Sequence, residues 1–79
     1  MREQLTTLDH LGIGNTARVV SLKAEGTQRR RMLDLGLIAG TRVSALQKSP
    51  AGDPVAYSIR GAVIALRRED AKNILIDQP

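Results

Sequence analysis

TQRRRMLDLGLIAG, residues 27–40, carries the only good helical pattern in the chain. Met32 and Leu35 follow Gln28 at helical spacing, with Leu33 beside that stripe, so one side is expected to face a core. Thr27 is the expected N-cap, although Arg30 stands where a capping-box acid would be. Gly36 directly follows the apolar face and suits a left-handed C-terminal cap, with Leu37 as the apolar group just past it. Gly40 supplies a second bend. The spacing predicts a short helix that stops abruptly and reverses into a strand, with Leu35 buried. Arg29, Arg30 and Arg31 ride on this helix, where its dipole does not favour positive charge. They are expected to face solvent, an acidic patch or a partner.

The remaining sequence must supply a core for this helix. The 79 residues suit one small domain, 1–79, near the lower limit for an independent hydrophobic core. Tyr57 is the sole aromatic residue, so the interior must be built from Leu, Ile, Val, Ala and Met. The absence of cysteine excludes a disulfide framework and thiolate metal sites. No apolar run reaches membrane-spanning length, and MREQLTTLD lacks the apolar region of a secretory signal. A cytoplasmic protein is expected. The net charge of +4 favours anionic partners without choosing among nucleic acid, acidic protein and a membrane face. The missing aromatics argue against a single-strand stacking site.

Leu5 and Leu8 open the fold as a short extended segment or turn, followed by a bend at residues 9–15 with two glycines. Residues 17–23, ARVVSLK, form a strand candidate, with Val19 on one face and Val20 and Leu22 on the other. Residues 41–48, TRVSALQK, form a second, in which Leu46 breaks the alternation through a bulge or two-sided burial. SPAGDP, residues 49–54, is the clearest loop. VAYSIR, residues 55–60, alternates cleanly, and Gly61 turns it into AVIALR, residues 62–67, as a hairpin. Residues 69–72 fit a brief helical turn. Ile74, Leu75 and Ile76 form a last strand expected to close the sheet against the first, leaving residues 77–79 as a tail. About five short strands with glycines at the corners predict a mainly β fold: a small, strongly bent barrel of the SH3-like or OB-like kind, with a short α-helix after the first long strand.

A catalytic centre is not expected. His10 has neither a second histidine at ligand spacing nor a cysteine and reads as a turn residue. The acids Glu69 and Asp70 are the sole adjacent pair and belong at a helix start. Asp34 can pair along the helix with Arg30 and Arg31. No G-x-S-x-G, phosphate-binding loop or G-x-G-x-x-G motif occurs. The other features belong to surfaces. Arg29–Arg31 can contact phosphates or form a solvated face, and Ile38 is either exposed in its turn or plugs a barrel end. Pro50 and Pro54 make a rigid loop that serves recognition or protects a sheet edge.

Leu8 with the Gly12 turn, RRMLDLGLIAG at residues 30–40, SPAGDP at 49–54 and IRGAVIALRREDAKNILI at 59–76 together resemble the FeoA family over nearly the whole length. Family members are small cytoplasmic proteins of bacterial ferrous iron uptake with an SH3-like barrel. The same domain type ends DtxR-type metal-responsive repressors. The resemblance implies an accessory or regulatory protein, not an enzyme, with no cofactor. It would dock on the cytoplasmic part of the membrane transporter FeoB, which has a GTPase domain. By matching motif, it points to Leu35, Gly36, Leu37 and Gly40 in the turn, Pro50, Gly52, Asp53 and Pro54 in the loop, and Gly61, Leu66 and Arg67 in the hairpin. Of these, Leu37, Pro50, Asp53, Pro54 and Arg67 join Arg29, Arg30, Arg31 and Ile38, named from the surface reading, as partner-binding candidates. Gly36, Gly40, Gly52 and Gly61 would be structural turns. Ala39 stands where the family often has proline, and Ala51 where a larger apolar residue is common. Open sheet edges would allow self-association. The alternatives are a small basic barrel on nucleic acid, which the composition disfavours, or a metal-responsive regulatory module.

Overall fold

The computed structural model describes residues 4–78. Its strands are β1 (Gln4–Thr7), β2 (Thr16–Leu22), β3 (Arg42–Lys48), β4 (Val55–Ile59), β5 (Ala62–Leu66) and β6 (Ile74–Gln78). A 3-10 turn, Leu8–His10, comes directly after β1; α1 (Gly26–Asp34) joins β2 to β3; α2 (Arg68–Ala71) joins β5 to β6. All pairings are antiparallel, in the order β1-β6-β2-β3-β4-β5.

That order corrects the expected barrel of about five strands. Among the described residues there are six strands, and the outer two, β1 and β5, are not paired with each other, so the sheet stays open. β6 lies between β1 and β2 instead of sealing a cylinder. The physical reason is the helical turn attached to each outer strand. β1 runs into the 3-10 turn and β5 leads into α2, and these two turns pack on each other. Their backbone groups are committed to local bonds, such as Leu11 N–H to Leu8 O and Ala71 N–H to Arg67 O, and cannot continue a ladder. The expected tail is also strand, since Asp77 and Gln78 pair with Leu5 and Gln4. Pro79 lies outside the described residues.

Leu8, Leu37, Val43, Ile59, Ile74 and Ile76 are fully buried, with Tyr57 and Met32 beside them. On β4 the alternation works as the pattern demands, with Tyr57 and Ile59 inside. Two bulges bend the sheet, at Val20 against β6 and at Leu46 against β4. Each turns its apolar side chain outward.

The buried stripe of α1 differs from the expected one. Met32 is buried, but Leu33 and Leu35 are exposed. The helix ends in a Schellman motif: Leu37 N–H donates to Met32 O, and Gly36 N–H to Leu33 O. Gly36, at φ 94°, makes the reversal, which carries Leu37 back into the core beside Met32 and leaves Leu35 outside. The helix also starts one residue before the expected cap, with Glu25 at the N-cap and no side-chain cap bond, so Thr27 lies within its first turn.

Candidate partner-binding surface

Successive helical residues point about 100° apart, so Arg29, Arg30 and Arg31 fan around α1 and do not form one patch. All three are exposed. Arg29 donates to Leu22 O at 3.4 Å, on the β2 side. Arg31 sits across the helix, on a groove between α1 and β5 that Leu35, Ile64, Leu66, Arg67, Asp34, Glu69 and Asp70 also line. The expected ion pairs of Asp34 with Arg30 and Arg31 are not formed; among the described residues the sole ion pair is His10 with Asp9 at 3.6 Å.

The groove brings together residues far apart in sequence. Gln28 donates to Asp70 Oδ1 at 2.7 Å and accepts from Asn73 Nδ2 at 3.3 Å, which fastens α1 to α2 and sets the groove's width. Arg31 of α1 and Arg67, just after β5, thus line one groove together with half-buried Ile64 and exposed Leu35. An apolar strip with a charged rim is the usual composition of a protein contact face.

The other candidates lie elsewhere. Leu37 is fully buried and offers no surface; its place is the core. Ile38 is exposed in the turn after α1, on the outer side of the sheet. In the 49–54 loop, Ser49 N–H donates to Pro54 O and Gly52 N–H to Ser49 O, at 3.1 and 2.8 Å. Asp53 accepts the Arg68 N–H at 2.9 Å, so its carboxylate satisfies a free donor at the start of α2. Pro50 stands exposed at the loop's tip. Gly36, Gly40, Gly52 and Gly61 all have positive φ, between 83° and 94°.

The 3.6-residue pattern, run past the helix end, hides Leu35 as a surface group. The signal was the L-G-L triplet, in which the leucine after a C-terminal glycine commonly folds back. Among the described residues no nucleophile–base pair lines these grooves. Nor, among them, is any group of three or more His, Cys, Asp or Glu side chains placed to hold a metal.

The fold and this surface define a small, open SH3-like sheet with a helix inserted between β2 and β3. The FeoA domain family matches residues 6–78, and the chain belongs to it. It is 36% identical over 70 residues to an Fe(2+) transport protein A/Fe(2+) transporter FeoB fusion protein of Porphyromonas gingivalis, a match covering 89% of this chain but 8% of that protein. The solution structure of a FeoA protein from Chlorobium tepidum superposes with a TM-score of 0.86 at 36% identity, over 92% of this chain and 70% of that one. At 18% identity a manganese-dependent transcriptional repressor shares the fold, with a TM-score of 0.85 over 100% of this chain and 44% of the repressor.

Proposed function

We propose that this protein is an accessory, regulatory component of ferrous iron uptake that docks on the cytoplasmic side of a FeoB-type transporter through the α1–β5 groove. The observation that carries the reading is the fusion relative, in which a segment 36% identical to this chain shares one polypeptide with a FeoB transporter. Covalent linkage raises the effective concentration of two parts and is useful when they work in contact. The groove supplies what a separate subunit would need, with Leu35 and Ile64 as apolar anchors and Arg31 and Arg67 as charged rim. Docking alters transport only insofar as two transporter conformations bind the protein unequally.

The test is capture of the purified transporter by this protein. Leu35→Glu places a charge in the groove at a position already open to solvent, and the expected result is at least a tenfold loss of capture with an unchanged melting temperature. Undiminished capture by Leu35→Glu would move the interface off this groove. Loss of capture by an Arg29, Arg30 to Glu variant, with Leu35→Glu unimpaired, would shift it to the helix's outer faces.

A further inference from the structure

The outer face of the sheet carries a pattern that the groove does not use. Three neighbouring strands each place a hydroxyl residue two positions from an arginine: Thr16 and Arg18 on β2, Ser44 and Arg42 on β3, Ser58 and Arg60 at the end of β4. The register aligns them. Thr16 pairs with Ser44 and Arg18 with Arg42 across β2 and β3. Ser44 pairs with Ser58, and Val43 with Ile59, so Arg42 lies alongside Arg60. The intervening Ala17, Val43 and Ile59 point into the core, so both rows face outward.

The result is a row of three arginines beside a row of three hydroxyls. Thr16 and Ser44 already touch, Oγ1 to Oγ at 2.8 Å. Between the rows lies a cleft lined by Thr41, Arg42, Ser44, Ser58 and Arg60, with Ile38 on its rim and no carboxylate. The one acid in the row is Asp77, across from Arg18 on the far side from the cleft. Arg18 donates to Gly40 O at 3.1 Å. The guanidiniums of Arg42 and Arg60 have no hydrogen-bond or ion-pair partner among the described residues.

Like charges placed directly opposite on a sheet repel and destabilise it. Arg60 carries a second penalty. It occupies the first turn position of the β4–β5 hairpin at φ 53°, where asparagine or glycine is the residue favoured. Its stem lies over Gly36: a Cβ there would fall 2.5 Å from Arg60 Cδ. The helix-ending glycine thus leaves a slot that holds the Arg60 side chain in place. An unpaired cation in a disfavoured conformation, held by a glycine slot beside another cation, is the arrangement of a binding group.

We propose that this cleft is an oxyanion site whose ligand is a phosphate group, gripped by Arg42 and Arg60 and hydrogen-bonded by Ser44, Ser58 and Thr41. Guanidinium forks suit phosphate oxygens, and donors arriving from two adjacent rows match a tetrahedral group, which can turn an oxygen to each, better than a planar carboxylate. The site lies apart from the α1–β5 groove and does not rest on transporter docking.

The test is an NMR titration of the isolated chain with inorganic phosphate at low ionic strength. Saturable shifts are expected at the Ser44, Ser58 and Gly61 amides. An Arg42→Gln, Arg60→Asn double variant should bind at least tenfold more weakly while melting at the same or a higher temperature, since asparagine suits the turn. Arg30→Gln, on α1, should bind phosphate like the wild type. Sedimentation with phosphatidylglycerol vesicles, but not with phosphatidylcholine alone, would assign the phosphate to a lipid headgroup. Phosphate binding without sedimentation would assign it to a soluble compound. Absence of saturable shifts, equal binding by the double variant, or occupancy of the face by a glutamate-rich peptide and not by phosphate would each overturn the proposal.

Discussion

Leu35 and Leu37 stand two residues apart and differ in fate: 36% against 0% exposed. Leu37→Ala should cost about 2–5 kcal/mol in a urea melt, from lost burial and the cavity left behind. Leu35→Ala should cost under about 1 kcal/mol, as expected for a side chain already in contact with water. Helical spacing alone could not separate the two, because the reversal at Gly36 decides which leucine returns to the core. Tyr57 is simpler, since the β4 alternation sets it on one face with Val55 and Ile59, and that face is the inner one, with Tyr57 and Ile59 buried and Val55 partly so. Burial pushes its hydroxyl from 10.0 up to about 12, with Asp9 and Asp53 adding to the rise. Its phenol donates a long bond to Leu8 O at 3.4 Å. A raised acid favours the protonated fold, so this contribution is complete below pH 10 and lost as pH climbs toward about 12. Thermal melts between those limits should show the wild type losing stability more steeply than Tyr57→Phe.

At the scale of elements, the most legible pieces were those closed by local chemistry. The β4–β5 hairpin announced itself through Gly61, and the bulge at Leu46 through its broken alternation. The 49–54 loop was recognisable from its prolines, but the role of Asp53 was not. Its partner, the Arg68 N–H, lies fifteen residues away and is reached only once the fold exists. That contact takes the place of an N-cap, because α2 has no side-chain cap of its own at Arg67. Asp53→Ala should therefore lower stability by about 0.5–2 kcal/mol. The loss should be local, seen as faster amide exchange through residues 68–72. The three arginines of α1 show the opposite case. Their run was plain in the sequence, yet the helical turn disperses them, while Arg18, Arg42 and Arg60, scattered in the sequence, are gathered by strand register.

For the molecule as a whole, composition and turn placement indicated a bent, mainly β fold with the helix after β2, and this is what forms. Closure was not legible. Strand number and shear decide it, and both depended on β1, a four-residue strand that the sequence pattern left as an extended segment or turn. The open edge makes a testable difference. The two-residue turn at Arg60-Gly61 makes Ile59 and Ala62 a hydrogen-bonded pair, so the bonds alternate outward from there. Ile64 and Leu66 then bond to β4, and the N–H groups of Val63 and Ala65 point to the free side. Hydrogen exchange should be fast at Val63 and Ala65 and slow at Ile64. A closed barrel would protect all three.

Gln4 pairs with Gln78, so the described chain starts and finishes at the two ends of one rung. A pull applied between those two points would not shear the sheet but unzip it, parting the β1–β6 rungs singly from the Gln4–Gln78 end. Such geometry yields at low force. A host polypeptide joined at either end would also suspend the domain from the same corner, leaving the opposite surfaces free to meet a partner.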